Sequence, residues 1–124
     1  MKKRLPDSTR IHHALKAANR LASRFDGATL TAFLFGEDLQ DIVPRQFMII
    51  GEAANHVSNE LKARHPDVDW QQVVRFRNFV VHEYFKVDLA IVWDTATYVV
   101  PALITQLEAA LADAQQEEAG NQSV

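Results

Sequence analysis

Pro44-Arg-Gln-Phe47-Met-Ile-Ile50-Gly51-Glu52-Ala-Ala54-Asn-His-Val57-Ser-Asn-Glu-Leu61-Lys-Ala-Arg64 repeats its apolar residues at Phe47, Ile50, Ala54, Val57 and Leu61. Steps of three and four mark one face of an α-helix, and the run is too long for a strand. The spacing predicts a helix over 38–64, with Pro44 either kinking it or lying in its first turn. His65-Pro66-Asp67 ends it.

The same period extends outward in both directions. Before this stretch, Ile11, Leu15, Ala18, Leu21 or Ala22, and Phe25 share a face; Asp7 or Ser8 is the expected N-cap and Gly27 the stop. A short apolar piece, 30–35, follows. After it, a helix is expected from about Asp69 to Tyr84, and another from Asp88 to about Gln116 that Pro101 should bend. No alternating strand pattern, repeat or interdomain linker interrupts the series. The prediction is an all-α protein, an antiparallel four-helix bundle with a short extra helix, in a single domain over 1–114. Residues 115–124 are polar and expected to fray.

Composition bounds the function. The chain has 124 residues, 48% of them hydrophobic and 23% charged, which is ordinary for a globular domain. Cys is absent, so disulfides, thiolate catalysis and zinc–cysteine sites are excluded. No apolar run approaches the ~20 residues of a membrane span. The basic amino terminus has no apolar segment behind it, and the cytoplasm is the expected location. A net charge of −3 argues against binding nucleic acid by bulk electrostatics. The acid is concentrated at the carboxyl end, however, where residues 95–124 carry no Lys or Arg. Residues 62–86 hold Lys62, Arg64, Arg75, Arg77 and Lys86 against Asp67, Asp69 and Glu83, which allows a local positive potential.

Within that segment Arg77-Asn-Phe-Val-Val-His82-Glu-Tyr84 sets a cation, an imidazole and a phenol among apolar residues. Arg offers a fork of donors suited to phosphate, and His can take and return a proton near neutrality. On one helix, Arg77 and His82 lie ~140° apart around the axis with ~7.5 Å of rise. They would flank a groove without touching. A two-fold dimer could supply two of each across one cleft. The chemistry that fits is metal-free RNA cleavage. His82 would take the 2′-hydroxyl proton, Arg77 would stabilise the charge on the phosphoryl oxygens, and an acid would protonate the departing 5′-oxygen. A bland reading stands beside it, in which the three residues are a helix-dipole partner and a capping phenol.

Other candidates carry less. His12 and His13 read as surface residues. Glu52 and His56, at i and i+4, could share a metal, but bundle metal sites need several inward carboxylates. Trp70 and Trp93 read as core or interface anchors ahead of base-stacking platforms. Gly51 permits close helix approach. Glu52 could then support the site by pairing with Arg77 or bonding near Asn78; simple burial with a local capping partner is the alternative.

Arg77-x4-His82-x-Tyr84 resembles the R-x4-H-x-Y signature of the HepT-like toxins, a branch of the HEPN ribonuclease superfamily. The blocks Arg45-Gln-Phe-Met-Ile-Ile-Gly-Glu-Ala-Ala, His65-Pro-Asp-Val-Asp-Trp70, Arg77-Asn78 and Phe85-Lys-Val-Asp88-Leu-Ala-Ile-Val-Trp93 are also similar to that family's blocks, in order, over about residues 10–110. Pro44 departs from the family, which usually continues a helix there. The resemblance implies an all-helical homodimer that is a cofactor-free, metal-independent endoribonuclease acting on RNA. It implies Arg77 and His82 as catalytic residues and Asn78 as a polar neighbour. It also implies neutralisation by an MNT-type nucleotidyltransferase antitoxin that attaches AMP to Tyr84. The competing reading is a non-catalytic helical subunit or scaffold of such a nucleotidyltransferase.

Overall fold

The computed structural model describes residues 4–83 and 89–122, with side chains described up to Arg77 in the first segment and throughout the second. In chain order the helices are α1 (Asp7–Phe25), α2 (Leu30–Phe35), α3 (Glu37–Asn55), α4 (Asn59–Arg64), α5 (Trp70–Glu83), α6 (Leu89–Asp94) and α7 (Val100–Gln122), with a π-helical turn, Thr95–Val99, joining the last two. Among the described residues there is no strand. The expected all-α bundle is what the chain forms.

Helix α1 is central, packed against α3 and α7, while α5 packs on α3. The start of α1 lies beside the junction after α3, because Ser58 N–H and Oγ–H donate to the two Asp7 carboxylate oxygens at 2.9 and 2.6 Å. It also lies beside the end of α7, because Ser8 Oγ–H donates to Glu118 at 2.6 Å. The end of α1 meets α6, where Phe25 and Trp93 rings stand 5.6 Å apart. Both relations make α1 antiparallel to its neighbours. The interior is aliphatic and aromatic: Ile11, Leu21, Phe33, Phe47, Ile50, Leu61, Val92 and Leu107 are fully buried. Rings of Phe25, Phe33 and Trp93 form one cluster, and Phe47 stacks on Phe76 with centroids 4.8 Å apart.

Several boundaries differ from the sequence expectation, each for a physical reason. Asp7 and Ser8 do not cap α1 but lie inside its first turn, after Pro6. Asp7 is drawn to Ser58, and the free Ser8 N–H is taken instead by Glu118 across the bundle at 3.2 Å. The single helix expected over 38–64 is two helices. Ser58 Oγ accepts from Leu61 N–H and starts α4 afresh, held in place by Asp7. Pro44 sits inside α3, past its first turn. Gly27 does follow the end of α1, with φ +75.

Just before Pro101, where the sequence predicts a bend, the helix takes a π-helical turn. Pro101 has no N–H, and its ring would crowd the carbonyl four residues back. Val100 N–H reaches instead to the Thr95 carbonyl, five residues back. The Thr95 and Thr97 hydroxyls donate back to the Ile91 and Trp93 carbonyls, four residues earlier, at 2.9 and 2.8 Å.

Helix α7 continues to Gln122, through the stretch expected to fray, and Glu117 and Glu118 tie it to Arg64 and Ser8. The continuous helix Leu89–Gln122 is long and apolar enough to cross a bilayer by composition alone. Its apolar stripe is already used: Val92, Ala96, Val100, Leu103, Leu107, Ala110 and Ala114 recur every three or four residues and are buried in the bundle.

Candidate active site

The site begins where α3 and α5 touch. A Cβ on Gly51 would stand 2.6 Å from the Arg77 backbone nitrogen, 2.8 Å from its Cβ and 3.0 Å from the Val74 carbonyl oxygen. Only glycine lets the helices come this close. The stacked Phe47 and Phe76 fill the space one turn away on α3. Together they set the height of Arg77 on α5.

The residue after Gly51 is Glu52, which therefore emerges beside Arg77. Arg77 Nη1–H donates to Glu52 Oε2 at 2.8 Å, and Glu52 Oε1 lies 2.8 Å from His56 Nε2. One carboxylate thus bridges a guanidinium and an imidazole. The Arg77 side chain keeps 33% of its exposure, so it is held in orientation while open to solvent. The Arg77 guanidinium, and then His56, hold the Glu52 carboxyl below the usual carboxylate range. A guanidinium has five N–H donors. One bond to Glu52 leaves capacity for a phosphate.

Glu52 and His56, whose spacing suits a metal pair, are hydrogen-bonded to each other instead. Among the described residues no group of three or more His, Cys, Asp or Glu could hold a metal. His12 and His13 are exposed, as expected. Trp93 lies in the aromatic cluster, and Trp70 is half-buried with its Nε1–H donating to the His65 carbonyl at 3.0 Å. Asn78 and His82 lie on α5, so Arg77 and His82 do share one helix. Tyr84, the residue expected to be modified, lies outside the described residues.

Sequence reasoning missed the device that positions the start of α5. His65 Nε2 lies 2.8 Å from Asp113 Oδ2, Arg64 Nε–H donates to the same oxygen at 3.0 Å, and Arg64 also pairs with Glu117. Asp69 Oδ1 then caps α5 by accepting from Gln72 N–H at 3.1 Å. This staple runs from α4 to α7 across about fifty residues, a separation that no local pattern signals. His65, held first, and Arg64 depress the Asp113 carboxyl below its ordinary value.

Residues 14–110 match the family described as Ribonuclease HepT-like. A Thermococcus cleftensis protein named probable ribonuclease HepT is 36% identical over 76 residues, covering 61% of this chain and 69% of its own. A protein provisionally named an RNase in Caldanaerobacter subterraneus is 30% identical over 98 residues, covering 79% of this chain and 88% of its own. A similarly named protein of Methanocaldococcus jannaschii is 26% identical over 98 residues, covering 79% and 90%. No solved structure matches the chain.

Proposed function

The chain belongs to the HepT-like ribonuclease family, and from that premise we propose that it is the toxic component of a toxin–antitoxin pair, a metal-independent endoribonuclease that uses Arg77 and His82. The observation that carries this reading is Arg77 itself. It is a partly exposed guanidinium, oriented by a carboxylate and fixed in height by Gly51, five residues before a histidine on the same helix. A scaffold needs no such arrangement.

In this reading His82 removes the 2′-hydroxyl proton, and the resulting oxygen attacks the adjacent phosphorus. Arg77 donates to the phosphoryl oxygens as charge builds on them, and the 5′-oxygen leaves as it gains a proton. The products are a 2′,3′-cyclic phosphate and a free 5′-hydroxyl. DNA lacks the attacking hydroxyl and is not a substrate. The acid comes from the second protomer of a two-fold dimer. In support, α2 and α6 pack together and expose Leu30, Leu34, Phe35 and Ile91, with Phe35 84% exposed.

Neutralisation follows from charge. AMP attached to Tyr84 by an MNT-type nucleotidyltransferase places a phosphodiester and a nucleoside two residues beyond His82, where substrate phosphate must sit. Asn78, next to Arg77, and Glu52 support the site without reacting.

The deciding experiment is incubation of purified protein with total RNA in EDTA, followed by end-group analysis. Cyclic phosphate and 5′-hydroxyl ends are expected. Intact RNA would favour the scaffold reading, and a strict Mg²⁺ requirement would point to another phosphoryl-transfer mechanism.

A further inference from the structure

Beyond Arg77 and His82, the most suggestive feature lies at the other end of α5. Lys62 of α4 and Trp70, Gln71, Val74 and Arg75 of α5 line an open cleft of about 350 Å³, within the size range of small-ligand sites. The Lys62 ammonium stands 5.9 Å from the centre of the Trp70 ring. Burial pushes Lys62 below its ordinary value, against the pull of Asp7. Asp7 is committed to Ser58 by two hydrogen bonds. Among the described residues neither Lys62 nor Arg75 forms an ion pair, whereas Arg64 and Arg77 both do. Among the described residues, two cations and an indole thus face one cleft whose lining holds no carboxylate.

Register connects this cleft to the proposed reaction centre. Arg75 and His82 are seven residues apart on α5, almost in line along the helix and separated by ~10.5 Å of rise. Gln71 lies one turn before Arg75 on the same line. A strand following that line would run from the cleavage position past Arg75 to Trp70.

We propose that the Lys62–Trp70–Arg75 cleft is a subsite for single-stranded RNA flanking the scissile phosphate. Arg75 and Lys62 bind its backbone, and Trp70 offers π surface to a base. This rests on the ribonuclease reading above. Cationic grooves with aromatic surfaces suit single strands because every base has a π face, while phosphate contacts carry no sequence preference. Specificity for sequence is not expected from this subsite. Preference for longer single strands is.

The test uses the full chain. In a His82→Ala background, binding of a fluorescein-labelled ten-nucleotide single-stranded RNA is followed by anisotropy. Arg75→Ala and Lys62→Ala should each weaken binding about tenfold and lower the salt slope by ~0.7 for each phosphate left unneutralised. In a Trp93→Phe chain, Trp70 is the sole tryptophan, and saturating RNA should quench its emission. In chains with His82 intact, Arg75→Ala should lower kcat/KM on long RNA while leaving cleavage of a dinucleotide unchanged. Unaltered RNA affinity in both cleft variants, or unchanged Trp70 emission at saturation, overturns the subsite. So does an Arg75→Glu chain that changes sedimentation mass yet binds RNA normally, which would make the cleft a protein contact. The two readings fail separately. Cleavage that is present but indifferent to Arg75 and Lys62 removes only the subsite. Quenching of Trp70 without any cleavage by the unsubstituted chain retains the subsite and removes the nuclease.

Discussion

Gly51 and Arg77 touch backbone to backbone: a methyl group on Gly51 would sit 2.6 Å from the Arg77 nitrogen. The atoms it would meet are main chain and Cβ, which cannot swing aside as a flexible side-chain end would. Gly51→Ala must therefore push α3 and α5 apart by some tenths of an ångström. We expect a loss of ~1–3 kcal/mol, the usual range for overpacking, measured by chemical denaturation. Activity should fall further than stability explains, because Arg77 moves with α5. A Gly51→Ala chain as stable and active as the parent would show that the contact is not tight.

Glu52→Gln separates orientation from stability. The Arg77–Glu52 pair is half-exposed, and pairs of this kind contribute no more than about 1 kcal/mol. Thermal stability at neutral pH should scarcely change. The amide can no longer hold Arg77 by charge, so kcat should drop several-fold with little change in KM. Arg77→Lys should do worse, since an ammonium cannot serve Glu52 and a phosphate from one planar fork. Equal kcat in Glu52→Gln and the parent would reduce Glu52 to a surface residue.

Much of this is legible in the sequence, and the parts that are not share a cause. The helices follow from apolar spacing, and Gly51 beside Glu52 is enough to suggest a close approach and a partner for Arg77. The break between α3 and α4 is hidden because Val57 and Leu61 keep the helical period straight across it, and both are buried. What ends α3 there is Asp7, brought to Ser58 from fifty-one residues away. The His65–Asp113 staple is non-local in the same way. Trp70 fits the apolar stripe of its helix, and only the placement of α4 turns its ring into the wall of a cleft. Pro101 announces a disturbance but not its form, since a kink and a π turn both solve the missing N–H.

Acid should loosen the bundle chiefly through Asp113, and only slightly through the half-exposed Glu52. Glu52 is held below its ordinary 4.5 and Asp113 below its ordinary 3.8. With folded values depressed, each contributes stability that is fully present above its unfolded value and lost as pH falls through its folded one. The thermal midpoint, followed by circular dichroism, should be level above about pH 5 and decline below it. Asp113→Asn should shrink the part of that decline due to the α4–α7 staple. A midpoint that rises on acidification would contradict both assignments.

Modification at Tyr84 can be separated from simple occlusion by a partner. Tyr84→Phe removes the oxygen that would carry AMP and keeps the ring. If the phenol serves only as the modification site, this variant still cleaves RNA and escapes neutralisation by an MNT-type enzyme with ATP and Mg²⁺. Intact mass should show AMP-sized steps on the parent and none on Tyr84→Phe. Inhibition of the parent without any mass change would mean occlusion.

Arg77 and His82 offer the sharpest test, because helix geometry sets them on different faces of α5. Five residues along α5 place them ~140° apart with ~7.5 Å of rise. A phosphate that meets both must lie across a groove or receive one of them from a second protomer. Singly, His82→Ala should cost ~10²–10⁴ in cleavage rate, and Arg77→Ala ~10²–10³, with helicity retained in both. Mixing the two variant chains then discriminates. If each phosphate takes its arginine from one protomer and its histidine from the other, one of the two clefts in a mixed dimer regains an intact pair, and activity should rise well above either variant alone. No recovery, with mixed dimers verified by native mass measurement, would mean that each protomer must contribute both residues to its own site. Full activity of both single variants would remove Arg77 and His82 from the chemistry altogether.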